Sequence, residues 1–305
     1  MTGETESTPL LVNAERDEPD FREHRLADVR TLGVSFFFLF GTQSTIATLS
    51  STLLPPSVAF FSYGSLYLSF ALFNALAAAR IVSLLGVRKS LFVAAITYLL
   101  WSIANVLALK YAYYSVLVPV AVLNGLGASV LWTAQSLYLA RCALPQTLGA
   151  YSGAFFACMW ASGIIGPLFS SSLLRANVDK VSVFEAVIAI SLISLLLLAY
   201  LWLARPEPSN PGNPVHEDAL SGDVDLLATA RLLVHPSMLL LMPLSYIIGF
   251  EQAFYGSSLP LFIKTDHPQA DLSTKLYLRA ALGFVITMTA LMIGRVTDKF
   301  GSRPW

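Results

Sequence analysis

A chain of 305 residues that is 55% hydrophobic and only 12% charged is not an ordinary soluble domain, since those carry about twice that charged fraction. A formal net charge of zero lacks the electrostatic footprint of a nucleic-acid binder. The apolar residues come in blocks of about twenty, long enough to cross a bilayer core as helices, so the fold class read here is an all-α multi-span membrane protein.

Residues 1–29 are polar and acidic, without the apolar run of a cleavable signal peptide, and read as a cytoplasmic tail. Within them, the run from Glu6 to Leu10 and Leu11 resembles the acidic dileucine sorting signals read by vesicle adaptors. It implies an endolysosomal or vacuolar membrane, with the plasma membrane as the alternative.

The first span is expected over about 30–51. Its first half, Ser35 to Phe40, is aromatic and lipid-like, whereas Gly41-Thr42-Gln43-Ser44-Thr45 is small and polar. Polar side chains at bilayer depth face a bundle interior or a wet cavity. Gln43 is therefore a cavity candidate, with an interhelical hydrogen bond as the plainer reading. Pro55-Pro56 turns the chain into a second span over about 58–79. Next come Arg80, Gly86 and Arg88 in a short basic connection, then a third span over about 90–109. Lys110-Tyr111-Ala112-Tyr113-Tyr114 reads as an interfacial aromatic belt with a snorkelling lysine.

The fourth span, about 116–140, carries Asn124-Gly125-Leu126-Gly127 and then Leu131-Trp132-Thr133-Ala134-Gln135-Ser136-Leu137-Tyr138-Leu139. The fifth, about 150–173, contains Ser162-Gly163-Ile164-Ile165-Gly166-Pro167, whose small residues four apart allow close backbone packing. The sixth spans about 183–203, with Glu185 near its end as a solvated interfacial charge. Residues 204–236 alternate prolines, acids and glycines, the composition of a flexible linker.

The seventh span, about 237–262, holds Gly249-Phe250-Glu251-Gln252. Glu251 lies thirteen residues beyond Met238, about 20 Å deep at 1.5 Å per residue. A carboxylate at that depth serves proton coupling or ligand contact, or else fixes helices to one another. The eighth span, about 276–294, has Arg279 near its outer end, where it is expected to snorkel. The final motif is Gly294-Arg295-Val296-Thr297-Asp298-Lys299-Phe300-Gly301-Ser302-Arg303. An earlier echo places Arg80, Gly86 and Arg88 at the same offset of 215 residues from Arg295, Gly301 and Arg303, with Ser83 replacing Asp298.

That last motif resembles the loop signature G-R-x-x-D-[RK]-x-G-[RK]-[RK] of the major facilitator superfamily, which joins the second and third helices of each six-helix half. The run from Leu131 to Leu139 is similar to the L-W-T-A-Q-G-x-Y-L signature of the Unc-ninety-three branch of that superfamily, with Ser136 at the usual glycine. The resemblance spans about 30–303. It implies a six-helix N-terminal half over 30–203 and the first two helices of a C-terminal half over 237–305, apparently lacking the last four helices. Twelve helices make a two-half carrier and eight are legible here, which reads as a fragment, with a genuinely short regulator as the alternative.

With a cytoplasmic N-terminus, thirteen of the nineteen Lys and Arg residues fall inside, as the positive-inside rule prefers. All four histidines lie outside the spans, the two cysteines lack metal-site spacing, and no catalytic motif is present, so neither an enzyme nor a cofactor is expected. Two functions remain. One is a secondary carrier of a small solute, with or without a proton, by alternating access. Its cavity would be lined from the first, fourth, fifth and seventh spans, with Gln43, Asn124, Trp132, Gln135, Glu251 and Gln252 as candidates. Its gating loops would be Arg80, Gly86 and Arg88, and Gly294, Arg295, Asp298, Lys299, Gly301 and Arg303. The other, which the resemblance equally implies, is a membrane partner that regulates channels or traffics receptors.

Overall fold

The computed structural model describes residues 18–143, 148–206, 231, 234–254, 262 and 268–300. The described chain is helical almost throughout. The helices are α1 (Glu18–Leu53), α2 (Pro56–Leu76), α3 (Ala78–Leu85), α4 (Val87–Tyr111), α5 (Leu117–Cys142), α6 (Leu148–Arg175), α7 (Lys180–Ala204), α8 (Pro236–Ala253) and α9 (Pro268–Phe300). Among the described residues, seven helical segments are long and apolar enough to cross a membrane: the six of α1, α2, α4, α5, α6 and α7, and Ser273–Met292 of α9. The molecule is an all-α multi-span membrane protein.

Several boundaries differ from the sequence expectation. Helix α1 begins at Glu18, so the last dozen residues assigned to a tail are helical; Glu6, Leu10 and Leu11 lie outside the described residues. The short connection holding Arg80 is itself a helix, α3, set between a break at Ala77 and one at Gly86. Gly86 has φ +79° and ψ 155°, a backbone region essentially closed to other residues. Ser83, which replaces the aspartate of the echo, caps locally by donating to the Arg80 carbonyl at 2.8 Å. The final motif is not a loop over its first seven residues either: Gly294 to Phe300, including Arg295, Asp298 and Lys299, end α9. Gly301 and Arg303 lie outside the described residues, as do 207–230 of the expected linker.

The helices pack through small residues, because lipid offers no hydrophobic drive between spans and backbones must approach closely to gain dispersion contacts. A methyl group on Gly166 of α6 would stand 2.6 Å from the Gly41 carbonyl oxygen of α1, and one on Gly283 of α9 would stand 2.7 Å from the Gly163 carbonyl carbon of α6. Gly166 therefore lets α6 lie against α1, and the Gly163–Gly283 contact lets it lie against α9. Pro167, expected to bend this helix, sits buried within it. On the far side of the bundle, a methyl on Gly125 of α5 would lie 2.6 Å from the Leu66 carbonyl oxygen of α2.

The first half of the first span is not a lipid face. Phe36 and Leu39 are buried, and Phe36 meets Phe155 of α6 at 5.0 Å while Phe40 meets Trp132 of α5 at 5.4 Å and Tyr98 of α4 at 5.8 Å. The exposed apolar side chains stand instead on α2, at Phe60, Phe61, Leu68, Leu72 and Leu76, and on α7, at Leu192, Leu196 and Leu203. Such a belt would aggregate a soluble protein; in a bilayer it is the ordinary outer surface.

Polar contacts tie both ends of the bundle. At the end where α1 enters, Arg25 donates to the Arg141 carbonyl at 2.7 Å, Arg205 pairs with Asp28 at 2.6 Å, and Arg88 donates to the Leu201 carbonyl at 3.3 Å. At the opposite end Glu185, expected to be merely solvated, lies 3.5 Å from Lys110. Arg175 there caps the Tyr277 ring at 4.7 Å, joining α6 to α9.

Substituting Gly283 by Val should force α9 off α6 and cost about 1–3 kcal/mol, read as a lower thermal midpoint of the detergent-purified protein. Gly64→Ala, whose new methyl would meet nothing within 4 Å, should leave the midpoint unchanged or raise it slightly.

Candidate functional site

The polar stretch of α1 runs through the bundle interior and is satisfied there. Thr42 donates to the Val187 carbonyl of α7 at 2.8 Å. The Gln43 amide donates to the Tyr98 carbonyl at 3.3 Å and to Ser102 Oγ at 3.1 Å, both on α4. Thr45 Oγ1 accepts from Ser170 of α6 at 3.3 Å, and Ser50 donates to Asn105 Oδ1 at 2.7 Å. One helix therefore reaches three others through side chains that would be costly if left unpaired in hydrocarbon.

Beside this seam, near the middle of the helices, lies a cavity of about 450 Å³. That falls in the range of small-molecule sites. Its wall is drawn from α1, α2, α4, α5, α6 and α9. Aromatic side chains dominate: Phe40, Tyr63, Tyr67, Phe70, Tyr98, Trp101, Trp132 and Trp160. The polar members are Gln43, Ser44, Asn124 and Ser162, and the one charged member among the described residues is Arg279. Asn124 is buried, and its Oδ1 accepts from Thr97 at 3.2 Å.

The sequence candidates divide. Gln43, Asn124 and Trp132 come together on this wall, and Gln43 does so while making the interhelical bonds of its plainer reading. Gln135 does not line the cavity; it is buried within α5, with Ser136 Oγ 3.4 Å from its Oε1. Glu251 and Gln252 fall in the last turn of α8, and their side chains lie outside the described residues. Arg80 is exposed and Arg88 is tied to α7, so these two do not converge on the cavity.

Two features escaped the sequence reading. The second span contributes four lining residues, Tyr63, Leu66, Tyr67 and Phe70, although an all-round apolar helix gives no hint of which stripe is inside. Arg279 does not snorkel outward but lines the cavity. The signal was available: an ionisable residue inside an apolar span is a functional candidate by default, and the reasoning applied to Glu251 applied equally to Arg279.

The Gln43 bonds give a direct test of the seam. Gln43→Leu should lower stability by about 0.6–1.7 kcal/mol, the range measured for hydrogen bonds between membrane helices. Ser102→Ala in the Gln43→Leu background should cost less than Ser102→Ala alone, and a double-mutant cycle of thermal midpoints reads that coupling.

Similarity to known proteins agrees with this layout. The family described as "Ion channel regulatory protein UNC-93" matches residues 56–303. Among curated proteins, the chain is 26% identical over 257 residues to the UNC93-like protein MFSD11 of Xenopus laevis, covering 76% of this chain and 56% of that protein. It is 26% identical over 293 residues to the UNC93-like protein 3 of Arabidopsis thaliana, covering 90% of this chain and 61% of that protein. It is 27% identical over 276 residues to the unc-93 homolog A of Bos taurus, covering 76% and 60%. The chain thus spans a little over half the length of these relatives. With a family match over residues 56–303, most of its length, the chain belongs to the UNC-93 family.

Proposed function

We propose that this protein is part of a secondary carrier that moves a small organic solute across a membrane by alternating access. The observation that carries this reading is the cavity at mid-depth, aromatic-walled with a few converging polar groups, which is where and how transporters of parallel repeats hold their cargo. Glu251 is the proposed site of proton coupling, and the motif segments around Gly86 and from Gly294 to Arg303 are the proposed gates. The N-terminus is proposed to face the cytoplasm, where Glu6, Leu10 and Leu11 would be read by vesicle adaptors for endolysosomal or vacuolar sorting.

The description of the family as ion channel regulatory favours a second reading, in which the chain binds a channel or receptor in the bilayer and transports nothing. The two predict different outcomes. Sealed vesicles bearing the protein are incubated with a mixture of small metabolites, and their contents are compared with empty vesicles by mass spectrometry. The carrier reading expects at least one solute to accumulate, and expects Trp132→Ala and Glu251→Gln each to abolish that accumulation. No accumulated solute, together with a channel or receptor that co-purifies equally well with Glu251→Gln, supports the partner reading instead.

A further inference from the structure

Arg279 is the feature of the cavity that a packing account leaves unexplained. It lies six residues into the Ser273–Met292 span, about 9 Å from its start at 1.5 Å per residue. A guanidinium stays protonated there, and holding it at that depth is expensive unless it is paired. Thr42, Gln43, Thr45 and Ser50 have protein partners, and the buried hydroxyls without one, such as those of Tyr63, Ser90, Tyr138 and Ser194, are neutral. Among the described residues Arg279 has no carboxylate beside it, and the cavity wall contains none. Nor is it spent on an aromatic ring in the way that Arg175 is spent on Tyr277 at 4.7 Å. Its neighbour is the Tyr67 phenol, which shares the cavity wall, and a phenol is a weak counter-group for a full positive charge.

We infer that the solute held in this cavity is an organic monoanion with a ring-bearing apolar body, its negative group held by Arg279 and its body laid among the aromatic side chains. This rests on the carrier reading and names the chemical class of its cargo. A carboxylate or similar oxyanion accepts the planar fork of an arginine through two parallel hydrogen bonds, and the Asn124 amide is a further donor on the same wall. With one cation and no second among the described residues, the wall matches a single negative charge. Rings of Trp132, Trp160, Tyr63 and Phe70 on the remaining faces favour a flat apolar body over an extended polar one, through stacked and edge-on contacts. An inorganic anion would leave that aromatic surface without a partner, and a cation would meet Arg279 as a like charge.

The test uses three probes that share one body: 3-phenylpropionate, 3-phenylpropanol and 3-phenylpropylamine. Their binding to the full 305-residue chain is measured in discs of neutral phosphatidylcholine, so that no anionic lipid competes. The acid should bind about ten-fold or more tighter than the alcohol, as expected for a charge-assisted hydrogen bond, and the amine should bind weakest. Arg279→Gln should remove that preference while leaving alcohol binding in place, and Arg279→Lys should retain part of it. Equal binding of acid and alcohol by the unaltered chain overturns the inference. So does an Arg279→Gln variant that loses acid and alcohol alike although Arg279→Lys binds neither better, because that is the mark of a structural role. Failure of all three probes to bind also overturns it. The carrier reading fails separately. If the acid binds in the expected pattern but never accumulates in vesicles, the cargo class stands as a binding specificity and transport falls. If a neutral solute accumulates through Trp132 regardless of Arg279→Gln, transport stands and the anion falls.

Discussion

Inside a bilayer, a polar side chain must find its partner within the protein, and α1 carries the densest run of such groups. Thr42, Gln43, Thr45 and Ser50 bond to α7, α4, α6 and α4 in turn. These bonds fix the rotation of α1 about its own axis. That rotation places Gly41 against Gly166 and turns Phe36 and Phe40 toward α4, α5 and α6. The cavity exists because of the same rotation, since it presents Phe40, Gln43, Ser44 and Ala47 to one shared space. Had α1 turned by half a revolution, four polar groups would face lipid. Thr42 and Thr45 would keep their bonds to the Phe38 and Gly41 carbonyls of the same helix, but Gln43 would lose both of its partners, at a cost above that of any one packing contact.

Close backbone approach supplies the second constraint. Glycines at 163 and 166 let α6 lie against α9 and α1 together, and this is what brings Arg279, on α9, to a cavity built mainly by the N-terminal helices. Bulk at Gly283, whose methyl would stand 2.7 Å from the Gly163 carbonyl carbon, would displace the only charged group on the wall among the described residues. The contacts at the two ends of the bundle are of a different kind. Arg205 with Asp28 and Lys110 with Glu185 hold helix ends together within the six-helix half, and the second of these is exposed and therefore weak.

Much of this was legible in the sequence, for identifiable reasons. Apolar blocks bounded by prolines, charges and tyrosines located the spans, because length and hydropathy alone decide whether a helix can cross. The small-residue pair in α6 and the polar run in α1 announced themselves as interior features, because neither has a use at a lipid surface. What stayed hidden was facing. In a soluble helix the apolar stripe marks the core, but in lipid both sides of the helix are apolar, so Phe36 read as lipid-facing although it is buried and Tyr67 gave no sign of lining a cavity. Gln135 was misplaced for a related reason: a polar residue in a span points inward, but inward includes the packed core of α5 as well as the cavity. Arg279 was placed at the surface because counting residues from the end of a span gives depth but not direction.

Alternating access requires that the cavity beside the α1 seam communicate with water on each side of the membrane in turn. The direct measurement is thiol accessibility at Ser162, a lining residue of α6, as a single cysteine with Cys142 and Cys158 replaced by Ala. The protein is held in sealed vesicles of known orientation, and a membrane-impermeant thiol reagent is added to one side or the other. Alternating access predicts modification from both sides, with a bound solute slowing both reactions. Modification from one side only, at a rate no solute changes, would contradict it and leave the cavity a fixed pocket in a protein that acts through its partners.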